Sequence, residues 1–456
     1  MIESISASIM APTGPKRLSL GWESAQRPAP SGRVAFVSDL SPRPRLVMPL
    51  AEHVAGYGRL PTGLTMRMVL DTLRAANLTG RGGAGFPFWK KLQAVATAES
   101  RKSPVVIANG SESEPLSKKD TLLLKNNPHL VLDGISMIAG LLGAKSAYLY
   151  VKDREAHTAV NAAMRERRER GISELRVTVV EAPAGYVSGQ ETAVVRRIAK
   201  GPALPQFSLD RISTSGVRGA PTLLSNVETF AHVAMILRFG ADWYRQGGQG
   251  SDRGTRLLTL VGSVGRPGVY ELSPGATLAE LLREAEAGDP RAVLVGGYFG
   301  RWIDLSAPNA ANFPLDDQTL AEHKLSFGAG ILGVVAHDTC PVVEAAAITE
   351  YLAGQSAGQC GPCVHGLPEI STAMARIALS SDVERGMHDL RSVVPLVEHR
   401  GGCQHPDGVI QLVRSTVGAF AEEVKLHRSG RCSAHGSHTS VLLPPGASVT
   451  AGAVTR

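Results

Sequence analysis

Gly80-Arg81-Gly82-Gly83-Ala84-Gly85-Phe86-Pro87 is the stretch on which the reading of this chain turns. Gly80, Gly82 and Gly85 satisfy G-x-G-x-x-G, the glycine spacing of dinucleotide-binding βαβ units. That spacing has its meaning only after a strand and at the start of a helix. Here the preceding residues, Met66 to Asn77, carry Met66, Val69, Leu70 and Leu73 on one helical face. The acidic residue expected about 20 positions further on is not clearly placed. A standard Rossmann nucleotide domain is therefore rejected. The physics of the run still applies: glycines let backbone N–H groups approach an anion, and the next helix N-terminus favours a phosphate. Arg81, Lys90 and Lys91 add positive charge. An ordinary tight turn is the plain alternative. Four glycines in six residues with basic flanks favour the phosphate.

Outward from this loop the pattern is α/β. The apolar run Pro104 to Ala108 reads as a strand leading into Asn109-Gly110-Ser111-Glu112-Ser113-Glu114-Pro115. A helix (about Leu130 to Leu142), a strand (Ala147 to Val151), a charged helix (Arg154 to Arg170) and a strand (Leu175 to Val180) follow. Strands alternating with helices predict a sheet with parallel strands, over residues 46–246. Gly247 to Ser251 reads as a linker. Residues 252–335 then show strands at Leu257 to Val261 and Val269 to Leu272, a helix at Leu278 to Glu286 and a strand at Ala292 to Val295, the makings of a small β-grasp module. Residues 336–430 read as helical, most plainly at Val409, Leu412, Val413, Val417, Phe420 and Val424. Residues 1–45 and 431–456 are mostly small and polar and read as a disordered lead-in and tail.

Composition narrows the class. Of 456 residues, 43% are hydrophobic and 20% charged, which fits a globular chain with ample core. No apolar run reaches the roughly 20 residues a membrane span needs, and the N-terminus lacks a secretory pattern, so a cytoplasmic location is expected. The net charge of +7 is not gathered into Lys/Arg runs with interleaved aromatics, which argues against nucleic acid. Five cysteines are too few for a disulfide scaffold. Cys360, Cys363 and Cys403 sit in Gly-flanked segments, a clustering more typical of metal binding.

Six motifs in one order carry a resemblance. The Gly80–Pro87 loop and Asn109 to Pro115 are joined by Gly185-Tyr186-Val187-Ser188-Gly189-Gln190-Glu191-Thr192-Ala193 and Ser225-Asn226-Val227-Glu228-Thr229. Ser356-Ala357-Gly358-Gln359-Cys360-Gly361-Pro362-Cys363 follows, with Cys403 40 positions on. Together they resemble the family of NADH-binding flavoprotein subunits of respiratory complex I, which includes the diaphorase subunits of NAD-linked hydrogenases and formate dehydrogenases. The resemblance implies an FMN-binding α/β domain, a β-grasp soluble-ligand-binding module and a helical iron–sulfur domain. It implies an NADH:acceptor oxidoreductase in which the cofactors carry the chemistry, so no side chain is given a catalytic role. Gly82, Gly83, Gly85 and Lys91 are expected to grip the FMN phosphate, and Asn109, Ser111, Asn226 and Thr229 to line the flavin. Phe86 is expected to stack on the nicotinamide nucleotide, with Glu112 and Glu114 on its polar part. Tyr186, Gly189 and Glu191 belong near the isoalloxazine edge. Cys360, Cys363 and Cys403 are the cluster ligands, and a ferredoxin-like or other redox protein is the acceptor.

This sequence departs from the family at several points. Ala357 stands where the first cluster cysteine belongs, so the cluster is expected as 4Fe-4S with a substitute fourth ligand or as 3Fe-4S, the remaining outcome being an empty site with three reduced thiols. Candidates for the fourth corner are water, His365, His405, Cys340 and Cys432. In relatives the segment holding Cys340 is non-ligating, and Cys432 falls in the polar tail as a free thiol. Ser111 and Gln190 replace carboxylates beside the flavin, and Ala94 replaces an aromatic. These changes leave two alternatives open. One is a degenerate homologue that binds flavin or a partner without oxidising NADH. The other is an Rnf-like electron-transfer subunit, matched at Asn109-Gly110 but lacking that family's ferredoxin-type cysteine runs.

Overall fold

The computed structural model describes residues 17–18, 33–40, 47–172, 176–246, 248, 253–434 and 440–447. Gly248 apart, the linker expected at Gly247 to Ser251, and most of the lead-in and tail, lie outside them.

The described chain reaches strand β1 (Val34–Asp39) first, and the first unit then opens with helices α1 (Leu50–Tyr57), α2 (Met66–Ala76) and α3 (Phe88–Ala96). Next come β2 (Val105–Gly110), α4 (Lys119–Asn126), α5 (Pro128–Leu141), β3 (Ser146–Val151), α6 (Arg154–Glu169) and β4 (Val177–Glu181). It closes with α7 (Glu191–Ile198), β5 (Thr222–Asn226) and α8 (Val227–Arg245). Local chemistry sets several boundaries. The Thr65 side chain accepts from Met68 N–H to start α2, and Asn77 ends it in the left-handed region. Asp153 caps α6, and Asn226 caps α8 through Glu228 N–H.

Four strands form an all-parallel sheet in the order β4-β3-β2-β5. From β2 the chain winds outward through β3 and β4, then returns to lay β5 on the other side of β2. The strand order thus reverses between β2 and β5, where α/β sheets open a crevice at their carboxyl ends. Asn109 and Asn226 lie opposite each other at that edge.

A second sheet has six strands in the order β1-β7-β6-β10-β8-β9. Its elements are β6 (Arg256–Gly262), β7 (Gly268–Leu272), α9 (Leu278–Glu284), β8 (Pro290–Val295), β9 (Arg301–Asp304), α10 (Asp317–Glu322) and β10 (Ile331–Ala336). The β6–β7 hairpin, α9 and a β10 parallel to β6 make the β-grasp core. A helical unit follows: α11 (Pro341–Gly354), α12 (Leu367–Ala378), α13 (Val383–Val397), α14 (His405–Ala419) and α15 (Ala421–Arg428). Among the described residues no helix is long and apolar enough to cross a membrane.

Three expectations change. Val34–Asp39, inside the expected disordered lead-in, pairs antiparallel with β7 and extends the β-grasp sheet. Within the expected tail, Leu442 N–H donates to Glu344 and the Leu442 side chain is buried. The helix read through Val424 is two helices, broken at Phe420, whose ring packs edge-on to Trp302.

The first two units are joined by buried charge. Lys119 Nζ lies 2.7 Å from Asp120 and 2.9 Å from Glu228, all three buried. The other Glu228 oxygen accepts from Leu257 N–H of β6 at 2.9 Å. Burial opposes the Lys119 charge, but the two carboxylates outweigh it and hold its pKa up. Burial likewise pushes against Glu228, and Lys119 with His232 keeps it well below the carboxylate range. Removing one partner of such a group strands the others. Glu228→Ala is expected to cost about 3–5 kcal/mol and to lower the thermal unfolding midpoint markedly; a midpoint unchanged by differential scanning fluorimetry would show the network to be dispensable.

Candidate functional site

A cavity of about 540 Å³ opens at the carboxyl edge of β2 and β5. Small-molecule sites commonly enclose about 300–1,000 Å³. One wall is the glycine loop, Gly80 to Phe86. The loop closes on itself through Gly80 N–H to Phe86 O and Phe88 N–H to Leu78 O. Gly83 sits at φ 120, where a side chain would be strained. The loop is anchored from below: Arg81 N–H donates to the Thr229 hydroxyl at 2.9 Å. The Arg81 guanidinium donates to the Tyr244 hydroxyl and to the carbonyls of Arg253 and Thr255. It thus ties the loop down, where sequence had placed it as charge for a phosphate. Thr229 is fully buried beneath the loop and does not line the cavity.

The other residues singled out by sequence do line it: Gly82, Gly83, Gly85, Phe86, Lys91, Asn109, Ser111, Glu112, Glu114, Tyr186, Gly189, Glu191 and Asn226. Their polar atoms differ in how much they leave for a ligand. Asn109 Nδ2 donates to Gly189 O, and its Oδ1 accepts from Ser111. Asn226 Nδ2 donates to Asp120 at 2.6 Å. Lys91 Nζ lies 3.3 Å from Leu224 O and 3.6 Å from the Glu191 carboxylate. Phe86 is 43% exposed, an aromatic face held open by its glycine neighbours. A Cβ on Gly189 would stand 2.4 Å from Ser113 Oγ and 2.6 Å from Ser111 Oγ, so only glycine lets that turn approach β2. Gln190, in place of a family carboxylate, uses its amide oxygen to cap α7.

The two glutamates divide. Both Glu112 oxygens are engaged, by the Ser117 and Thr121 hydroxyls and by Asp120 and Thr121 N–H at the start of α4. This corrects the expectation of a carboxylate open to the nucleotide. Glu114 Oε1 accepts from the Tyr186 hydroxyl and from Tyr298 N–H at 2.8 Å. Its Oε2 is buried without a hydrogen-bond partner. Burial pushes this carboxyl up to about 7, only partly offset by the Tyr186 and Tyr298 hydrogen bonds. An orphaned buried oxygen in a cavity wall is what a ligand-binding group looks like before its ligand arrives.

The opposite wall brings Cys403, Gln404 and His405 to the same cavity. Cys360 and Cys363 lie on the turn that leads into α12, and Cys360 O accepts from Cys363 N–H and Val364 N–H. Burial raises the Cys363 thiol to about 12, helped by the neighbouring Cys360 and Cys403. Burial opposes ionisation of Cys360, but the N–H groups of Gly402 and Cys363 outweigh it and lower its pKa. Three thiols with N–H donors on sulfur suit an iron–sulfur cluster. His405 Nε2 faces Leu352 O at 2.9 Å; a carbonyl only accepts, so this nitrogen carries the hydrogen. Its buried Nδ1 has no partner. Cys340 and Cys432 are corrected as candidates for the fourth corner, because they meet each other and His427 at the far end of α11. Sequence reasoning also missed Lys119, Asp120 and Phe299 in the cavity wall. Buried polar residues give no apolar periodicity, so α4 carried no signal.

The fold and this cavity define an α/β ligand-binding site with one of the three motif cysteines, Cys403, in its wall. A family model described as the Nuo51 FMN-binding domain matches residues 73–235, and one described as the NADH-ubiquinone oxidoreductase-F iron-sulfur binding region matches residues 344–427. An F-type subunit of the NADH-quinone oxidoreductase of Rhizobium meliloti is 29% identical over 411 residues, covering 84% of this chain and 95% of that protein. Its Escherichia coli counterpart is 29% identical over 389 residues, covering 81% and 86%. A crystal structure of an NAD+-reducing NiFe-hydrogenase matches with a TM-score of 0.73 at 26% identity, over 81% of this chain and 64% of that one. The chain thus carries both regions of the NADH-binding flavoprotein subunits, as its motifs lead one to expect.

Glu114 gives a pH signature. Its carboxyl is neutral in the folded chain up to about 7, against an ordinary 4.5. The folded state therefore holds a proton the unfolded state has lost, and the contribution present below the ordinary value is lost as pH rises through the raised one. Wild-type stability is expected to decline between about pH 5 and pH 8, and Glu114→Gln to flatten that decline. Parallel slopes in urea titrations of the two proteins would contradict this.

Proposed function

We propose that this chain is an NADH:acceptor oxidoreductase subunit that binds FMN in the cavity and feeds an iron–sulfur cluster. The observation that carries the reading is the meeting of the glycine loop, Glu114 and Cys403 around one cavity. Residues 46–246 are read as the FMN and NADH unit, 252–335 as the β-grasp module and 336–430 as the cluster unit. The chemistry supplied there when FMN is bound is acceptance of a hydride from NADH and release of the electrons singly.

The chain's own residues bind and orient. Gly82, Gly83, Gly85 and Lys91 hold the phosphate, whose single anionic end matches one glycine-rich nest. Asn109, Ser111 and Asn226 line the ring system, with Thr229 supporting the loop beneath. Phe86 offers its face to the nicotinamide nucleotide, and Glu114 offers its unpartnered oxygen as the orienting group. Tyr186, Gly189 and Glu191 bound the far edge. Cys360, Cys363 and Cys403 hold the cluster, and Ala357 leaves one iron without a protein thiolate. The unpartnered Nδ1 of His405, two residues from Cys403, makes it the better of the two remaining histidine candidates for that corner. Electrons leave for a second redox protein.

The test is a visible spectrum of anaerobically purified protein before and after NADH. Bound FMN that bleaches on NADH addition is expected; flavin that stays oxidised would favour the degenerate homologue. Lys91→Glu should release most of the FMN while the circular dichroism spectrum persists. Ala357→Cys should lock a four-iron cluster in place of one that gains and loses iron, read by EPR with iron quantitation. Protein without iron or acid-labile sulfide after anaerobic reconstitution would remove the cluster from the proposal.

A further inference from the structure

Far from the flavin cavity, four metal-ligating side chains converge. Cys340 immediately precedes α11, Glu423 and His427 stand one turn apart on α15, and Cys432 follows that helix. Their ligand atoms all lie within 4.8 Å of one another, with Cys340, Glu423 and His427 buried. Cys340 Sγ is 3.5 Å from His427 Nε2, and that nitrogen is 3.4 Å from Glu423 Oε1. Zinc bonds of about 2.0–2.3 Å arranged tetrahedrally set ligand-to-ligand separations of about 3.3–3.8 Å. The two measured separations fall in that window.

The surroundings fit as well. His427 Nδ1 faces Ile377 O at 2.9 Å, which makes Nδ1 the protonated nitrogen and leaves the Nε2 lone pair for a metal. Glu423 is itself held by Arg291 at 2.5 Å and by Ser433 N–H at 2.9 Å. Two thiolates, one carboxylate, one guanidinium and one divalent cation sum to no net charge. Two sulfurs, a nitrogen and an oxygen without an open position describe a structural zinc site. The site is separate from the cysteine motif at residues 357–363. It sits at the other end of α11, whose 14 residues span about 20 Å.

We propose that Cys340, Glu423, His427 and Cys432 form a structural zinc site that fastens α15 and the chain after it to the start of α11, and through Arg291 to β8. It is independent of the flavin and the iron–sulfur cluster.

The full chain, purified in zinc-supplemented medium under reducing conditions, is expected to carry about one zinc per chain by ICP mass spectrometry. Cys360→Ser should keep that zinc, and Cys432→Ser and His427→Gln should each lose most of it. Because those two variants could also unfold, cobalt(II) is loaded into the Cys360→Ser protein as a second readout. A tetrahedral d–d spectrum with thiolate-to-cobalt charge transfer is expected there. Zinc that disappears with Cys360, an octahedral cobalt spectrum, or a zinc-free wild type in which Cys340 and Cys432 form a disulfide would each overturn the proposal.

Discussion

The ammonium of Lys119, sealed between Asp120 and Glu228, is the interaction on which the rest of the structure depends. A buried charge is tolerated only when its partners are fixed and their remaining hydrogen bonds are met. Glu228 meets its own by taking Leu257 N–H from the second sheet, and Asp120 by taking Asn226 Nδ2 from the edge of the first. One cation therefore sets the distance between β5, α4 and β6. Burial pushes the Asp120 carboxyl up to about 7; Lys119 opposes this, while Glu112 and Glu228 add to it. Three carboxylates crowding one ammonium leave this patch of the cavity wall sensitive to any further charge.

The cavity follows from that spacing. Reversal of strand order between β2 and β5 opens a crevice at their carboxyl ends, and the glycine loop is drawn over it by the anchors of Arg81. The β-grasp unit supplies Tyr298 N–H to Glu114. The Tyr186 and Tyr298 rings lie parallel with centroids 6.3 Å apart, so the two residues that donate to Glu114, one through its hydroxyl and the other through its backbone N–H, also pack against each other. The helical unit closes the far side with Cys403 to His405. A carboxylate dried out by three units at once has little choice but to hold its proton longer.

Much of this was legible in the residues because the signals were local. The parallel strands announce themselves as short apolar runs bounded by helices of clear periodicity, and α2, α5 and α6 fall within two residues of where that periodicity puts them. The glycine loop could be set apart from a Rossmann turn because a helix, not a strand, precedes it. Signals that depend on partners far away in sequence could not be read. Strand β1 is defined by pairing with β7, more than 200 residues on. Helix α4 hides its polar residues inside the protein. Arg81 and Glu112 looked like groups for a ligand, and only their partners show them to be fastenings. Cys340 and Cys432 meet through folding alone.

The cavity has one consequence for how the protein is made. Its first wall is laid down by residues 80–86 and its last by residues 403–405, in a later unit of the chain. A ribosome delivers these segments in that order, so the early glycine loop emerges long before the wall that shuts it in. A ligand enclosed by both walls therefore meets its complete site only after the helical unit has docked. A nascent chain stalled before α14 would present an open shelf where the finished protein has an enclosure.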